Sequence, residues 1–176
     1  SSIGFGQLSG LNLVGETTGI FPNRRRWSQF EIATRAFGYG ISITPLQLAH
    51  AYATLGNGGL YQPVHIIENN QQDLSKQVID HHYAVEVLHM LEAVTQPGGT
   101  ATRAAVPGYR VAAKTGTSRK AAAGGYSDEY VAITSGVAPV SDPRIALVVV
   151  INEPQGDQYY GGAVAGPVFS EIMKGS

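Results

Sequence analysis

The sequence predicts an α+β fold, helices first and a β-sheet with a closing helix last. Three observations carry this. Two capped, apolar-striped segments lie within the first hundred residues, three β-rich runs fill most of the last third, and a small-residue apolar segment ends the chain. At 176 residues the chain suits one domain and buries a substantial core. With 43% hydrophobic and 14% charged residues and a net charge of -1, it is neither a disordered chain nor one drawn in bulk to nucleic acid. Cysteine is absent, which excludes disulfides and thiol chemistry. No apolar run approaches the roughly 20 residues needed to span a bilayer, and the start has no signal-peptide pattern, so any membrane anchor is expected outside this chain.

Residues 1–21 are rich in Gly, Leu and Thr without a sustained period and read as extended loop with short turns. Arg24, Arg25 and Arg26 beside Trp27 have the composition of a phosphate or base contact. Isolated in a chain of near-zero charge, they read instead as a solvated turn with one anchored aromatic. Gly38-Tyr39-Gly40 is a sharp bend. Thr44-Pro45-Leu46-Gln47 then starts a helix: Thr44 caps, Pro45 sits where its missing N–H is harmless, and Gln47 completes a capping box. Leu48, Ala49, Tyr52, Ala53 and Leu55 give it a buried face, and Asn57-Gly58-Gly59 ends it.

A short strand is expected over 61–67, and an exposed polar turn over 69–76. Asp80 caps a second helix with the stripe Ala84, Val87, Leu88, Leu91 and Val94, stopped by Pro97-Gly98-Gly99. His82, Glu86 and His89 lie near one face of it but off the stripe and without a further ligand, so no metal site is assigned. A helical turn is expected within 100–105. The runs 109–117, 130–140 and 144–153 are the expected strands; Ser141-Asp142-Pro143 joins the last two as a hairpin. The longer link 119–128, with Gly124-Gly125, is expected to be a mobile loop. The nearly unbroken apolar run 145–151 suits a strand buried on both faces. A terminal helix is expected over 163–174, where Pro167 kinks it or marks its first turn.

The chemistry-bearing stretch is Lys114-Thr115-Gly116-Thr117, at the end of a small-residue strand. Alternation sends Lys114 and Gly116 to one face and Thr115 and Thr117 to the other. Gly116 lets another backbone lie close. An ammonium, nearby hydroxyls and an open edge suit a carboxylate-bearing peptide; an ordinary strand ending in a Thr/Gly turn carries the same letters. The chain has no G-x-S-x-G, no H-E-x-x-H and no P-loop. Lys-Thr-Gly is the third element of a set whose first two are S-x-x-K and S-D-N, and neither of those occurs here.

Blocks in a particular order narrow this further: 15–27, Phe37-Gly38-Tyr39-Gly40, 44–49, Asn57-Gly58-Gly59, Pro97-Gly98-Gly99-Thr100, Lys114 to Thr117, Gly136-Val137-Ala138-Pro139 and Tyr159-Tyr160-Gly161-Gly162. In these the chain resembles the C-terminal part of the transpeptidase domain of class B penicillin-binding proteins, nearest the cell-division type. The resemblance covers essentially all 176 residues. It implies a penicillin-binding/β-lactamase-like fold, with 1–176 an incomplete domain: a helical part over about 22–105, then strands and the last helix over about 108–176. It implies serine acyl transfer on peptidoglycan stem peptides ending in D-Ala-D-Ala, with β-lactams as mimics. The nucleophilic serine and its lysine would precede Ser1, leaving this chain one wall of the site and no activity alone.

By the same resemblance Lys114 and Thr117 are the catalytic candidates. Lys114 would assist proton transfer, and the Thr117 backbone N–H would complete an oxyanion hole. Thr115 and Thr117 hydroxyls would hold the terminal carboxylate and Gly116 would leave room for substrate, while Tyr130, Tyr159 and Tyr160 would line the pocket. Core packing is the alternative for Tyr159, and Arg119 stands at the rim. No cofactor and no metal are implied. The expected partners are the stem peptide, β-lactams, the N-terminal remainder of the same protein and divisome membrane proteins, with no nucleic acid. The expected location is the periplasm, anchored to the inner membrane by a segment outside this chain. An elongation-type relative, or a non-catalytic module binding cell-wall peptide or a division partner, is the alternative.

Overall fold

In the computed structural model, which describes residues 2–22, 26–36, 38–67, 74–122 and 124–176, capping chemistry fixes where the helices begin. Helix α2 (Pro45–Gly56) starts with the expected reciprocal box. The Gln47 N–H donates to the Thr44 hydroxyl at 3.1 Å, and the Thr44 N–H donates to Gln47 Oε1 at 2.9 Å. Gln47 is also buried, and its Nε2 donates to the carbonyls of Gln7 (2.8 Å) and Thr18 (2.9 Å). One side chain therefore caps α2 and pins the turn-rich N-terminal segment to it. Past the helix, Gly58 and Gly59 take φ of 62° and 85°, the left-handed stop expected of Asn-Gly-Gly.

Helix α1 (Gln29–Ala36) is not among the expected elements. It is only eight residues long, too short for a sustained apolar stripe, and none of its residues is buried. Its signal is a second box: the Glu31 carboxylate accepts from the Ser28 N–H, and the Ser28 hydroxyl accepts from the Glu31 N–H. The Arg35 guanidinium lies 3.5 Å over the Trp27 ring, giving that aromatic its anchor. Asn23, Arg24 and Arg25 of the arginine cluster, Phe37, and residues 69–73 of the expected polar turn lie outside the described residues.

The strand expected over 61–67 is corrected. Only β1 (Leu60–Tyr61) pairs, antiparallel to β2 (Lys76–Gln77), while Ile66 and Ile67 are exposed. Pro63 supplies no N–H to a ladder, which ends the pairing there. Helix α3 (His81–Ala93) begins as expected, Asp80 accepting from the His82 N–H at 2.9 Å, with Ala84 and Leu88 buried. On its exposed side His82 and Glu86 approach to 3.4 Å. Its end is tied to the sheet: the buried Thr95 hydroxyl donates to Val111 O at 3.0 Å, and Arg110 forks onto the Glu92 carboxylate at 2.6 and 2.7 Å. That bidentate bond holds the Glu92 carboxyl below its usual range. A 3-10 turn follows at Thr102–Ala104.

Strands β3 (Ala112–Ala122), β4 (Gly125–Ala138) and β5 (Ile145–Asn152) form an antiparallel sheet in that order. The loop expected over 119–128 is instead strand. Pairing runs from Ala112 opposite Val137 to Ala122 opposite Gly125, with one register shift between Arg119 and Ala121. Gly124 and Gly125, at φ of 85° and 155°, turn the chain tightly enough for the flanking residues to pair. Strand β5 is at an edge and mostly half-buried, Val150 being 40% exposed, so its apolar run is not covered on both faces within the described residues.

Helix α4 (Gly161–Lys174) starts two residues earlier than expected and carries Pro167 inside it. Proline cannot bond the carbonyl four residues back. That carbonyl, Ala163 O, accepts from Arg103 Nη1 at 3.2 Å instead. The sheet is a central layer. Val111, Ala113 and Val149 meet Ala165, Phe169 and Met173 of α4 on one face. Ala112, Val137 and Val140 meet Tyr52 and Leu88 on the other. Among the described residues no helix is long and apolar enough to cross a membrane.

The double duty of Gln47 sets an order of effects. Thr44→Ala removes one half of the box and is expected to lower stability by about 1 kcal/mol. Gln47→Ala also strands two carbonyls and should lose more, by roughly a further 1–2 kcal/mol. Urea unfolding midpoints of the two variants check the ranking.

Candidate active site

The site grows from an alternation that the core enforces. Ala112 and Ala113 are fully buried on opposite faces of β3, so the residues that follow inherit a fixed side. Thr115 and Thr117 fall on the side of Ala113 and α4, Lys114 and Gly116 on the side of Ala112. The ladder to β4 sets Lys114 opposite Ser135, Thr115 opposite Thr134, Gly116 opposite Ile133 and Thr117 opposite Ala132. The other side of β3 has no neighbouring strand among the described residues.

Lys114 is exposed, its ammonium donating to Thr115 O at 2.7 Å. The Thr115 hydroxyl donates to the hydroxyl of Thr100 at 3.1 Å. The Thr117 hydroxyl accepts from the Gly161 N–H at 3.0 Å, one of the amides that the start of α4 leaves without a helical partner. Having accepted there, Thr117 keeps its own O–H for another acceptor. The Gly161 carbonyl is held in turn by the buried Thr134 hydroxyl at 3.1 Å. Glycine is required here: a Cβ on Gly161 would lie 2.3 Å from Ile133 O and 2.4 Å from Gly116 O, and one on Gly162 would lie 2.1 Å from Thr100 O. The positive end of the α4 dipole is thereby brought against the threonine edge.

Tyr160 is the N-cap of α4 and stands next to Gly161. Tyr159 stacks on Tyr130 with centroids 4.1 Å apart and 22° between planes, and meets Tyr160 at 4.5 Å. Tyr130 pairs with Arg119, whose guanidinium lies 5.9 Å from the Tyr130 ring and is ion-paired with Asp128. The Tyr159 and Tyr160 hydroxyls are 3.2 Å apart, and this bond pushes the Tyr159 phenol up to about 12.

All seven candidate residues thus fall on the β3 edge or the aromatic cluster beside it. The clefts remote from this edge include one of about 220 Å³ at the far end of the sheet, lined by Val106, Pro139, Ile145 and Met173. Thr100, Thr134 and Gly161 join the site without being among the seven candidates. Their signals are small: the Gly-Gly pairs at 98–99 and 161–162, and a threonine where a strand interior favours an apolar group.

A sheet edge carrying an ammonium, two hydroxyls and a helix N-terminus is suited to an extended peptide ending in a carboxylate. The model of the penicillin binding protein transpeptidase domain matches residues 1–174, and the chain belongs to that family. It is 49% identical over 176 residues to peptidoglycan D,D-transpeptidase FtsI of Escherichia coli K12, covering 99% of this chain and 30% of that protein. It is 43% identical to probable peptidoglycan D,D-transpeptidase PenA of Neisseria meningitidis serogroup A, again over 99% of this chain and 30% of the relative. The apo transpeptidase domain of Burkholderia pseudomallei penicillin-binding protein 3 superposes with a TM-score of 0.91 at 40% identity, covering 98% of this chain and 53% of that one. The chain spans about 30% of the length of these curated relatives.

Two measurements probe the geometry. Gly161→Ala forces a Cβ into two backbone carbonyls and is expected to destabilise by about 1–3 kcal/mol, read by urea unfolding. Tyr160→Phe removes the bond that keeps the Tyr159 proton on, so Tyr159 should ionise nearer its ordinary value of 10.0, seen as tyrosinate absorbance at lower pH.

Proposed function

We propose that the full-length protein is a peptidoglycan D,D-transpeptidase of septal cell-wall synthesis and a target of β-lactams. This chain supplies the Lys-Thr-Gly wall of its site. The observation that carries the reading is the edge of β3, unpaired among the described residues, where Lys114 is exposed and the Thr115 and Thr117 hydroxyls line up beside the start of α4. The names and lengths of the relatives support the rest.

In this reading a stem peptide lies along β3 as an added strand, Gly116 admitting its backbone. Its terminal carboxylate accepts from the O–H that Thr117 retains, and from Thr115 once that hydroxyl turns away from Thr100. A serine on polypeptide outside this sequence attacks the penultimate carbonyl, and D-alanine leaves. An amine from a second stem peptide then takes the acyl group and restores the serine. The Thr117 N–H shares the oxyanion with the serine amide, and such a donor typically lowers the barrier by about 2.7–4 kcal/mol. Lys114 assists the proton transfers. Tyr130, Tyr159 and Tyr160 form the apolar side of the pocket. The working location is the periplasm, with an inner-membrane anchor outside this sequence, and divisome membrane proteins are the partners.

Labelling with a fluorescent penicillin tests the assignment. The full-length protein is expected to form a covalent adduct, and this 176-residue chain alone is expected to form none. Lys114→Ala in the full-length protein should slow acylation by roughly a hundredfold or more, the range of a positioned proton-transfer group. Reversible peptide binding without an adduct would establish a non-catalytic module instead.

A further inference from the structure

Glu153 is built into the fold in a way that its place past the end of β5 does not require. Its φ is 52°, and among the described residues only Asn12 shares a positive φ without being glycine. Asparagine tolerates that region; a glutamate is disfavoured there and stays only where its surroundings over-determine it. Those surroundings are present. The Glu153 N–H donates to Tyr130 O at 2.8 Å, and the Glu153 carbonyl accepts from Gln155 Nε2 at 2.9 Å. Its carboxylate accepts from the Lys120 ammonium and from Asn152 Nδ2.

Lys120 sits at the register shift of β3, next to Arg119. Glu153, just past the end of β5, is therefore fastened to both β3, through Lys120, and the interior of β4, through Tyr130. From Glu153 the chain runs directly into the loop that delivers Tyr159 and Tyr160, and the carbonyl it holds belongs to the tyrosine stacked on Tyr159. The bond to Lys120 lowers the Glu153 pKa, and the same bond raises that of Lys120, so each keeps its partner charged.

We propose that the Lys120–Glu153 pair is a positioning device that sets the spacing between the Tyr130–Tyr159–Tyr160 wall and the Thr117 edge, and so the bulk of acyl side chain the cleft accepts. This rests on the functional reading above. Neither residue touches the reacting atoms; both act through the wall.

The test measures acylation rates of the full-length protein by two probes: benzylpenicillin, which carries an aromatic acyl side chain, and 6-aminopenicillanic acid, which carries none. Lys120→Met is expected to slow acylation by benzylpenicillin roughly three- to tenfold, the worth of one aromatic contact, with less than a twofold change for 6-aminopenicillanic acid. Lys120→Arg should restore the wild-type ratio. Glu153→Gly, which relieves the backbone while removing the carboxylate, should lose the same selectivity without losing stability to urea. Equal slowing of both probes in Lys120→Met, or no slowing of either, overturns the inference and leaves the enzyme assignment standing. A wild-type protein acylated by neither probe overturns both.

Discussion

How near α4 comes to the sheet governs everything at the Lys114–Thr117 edge. The helix starts almost on top of the β3–β4 pair because Gly161 and Gly162 carry no side chain, and any Cβ there would enter a backbone carbonyl. Contact is made specific by two threonines on opposite strands, Thr117 accepting the first helical amide and Thr134 holding the first helical carbonyl. A surface hydroxyl thereby gains a defined direction for its proton, and the tyrosine before the helix gains a defined place. The same approach packs Ala165, Phe169 and Met173 against the sheet, so core and site are settled by one docking geometry.

Much of this was legible in the sequence because local chemistry carried it. Thr44 and Gln47, Asp80, and Asn57-Gly58-Gly59 mark helix ends through hydrogen bonds made within a few residues. The pairing of β4 with β5 was likewise marked by the tight Ser141-Asp142-Pro143 turn between two apolar runs. Family-specific blocks, rather than periodicity, pointed to the transpeptidase family. What escaped was set by contacts distant in the chain or by the absence of any contact. Helix α1 is eight residues long with none fully buried, and its clearest mark is the local Ser28–Glu31 box. The tether from Gln47 to Gln7 spans forty residues, and no spacing rule reveals it. At 119–128 glycine and charge suggested a loop, yet glycine also makes the tight turn that lets Ser118 and Arg119 pair with Val131 and Tyr130.

The two borders of the sheet differ in character. Along β3 the border is polar and cationic, with Lys114, Thr117 and Arg119 exposed. Along β5 it is a row of Val, Leu and Ile, half-covered by helices on either side. An extended peptide meets hydroxyls and charge at the first and a hydrocarbon surface at the second. The ladder chemistry is common to both, but the side chains give only the first a means of reading a carboxylate.

Pro167 would be expected to break or bend the helix that supports this arrangement. The bond it denies Ala163 is replaced from outside by Arg103, sixty residues upstream and on the 3-10 turn beside Thr100. The two positions are consequently coupled through one carbonyl: the guanidinium at 103 supplies the donor that a proline at 167 withholds, so a shorter side chain at 103 would leave Ala163 O to solvent.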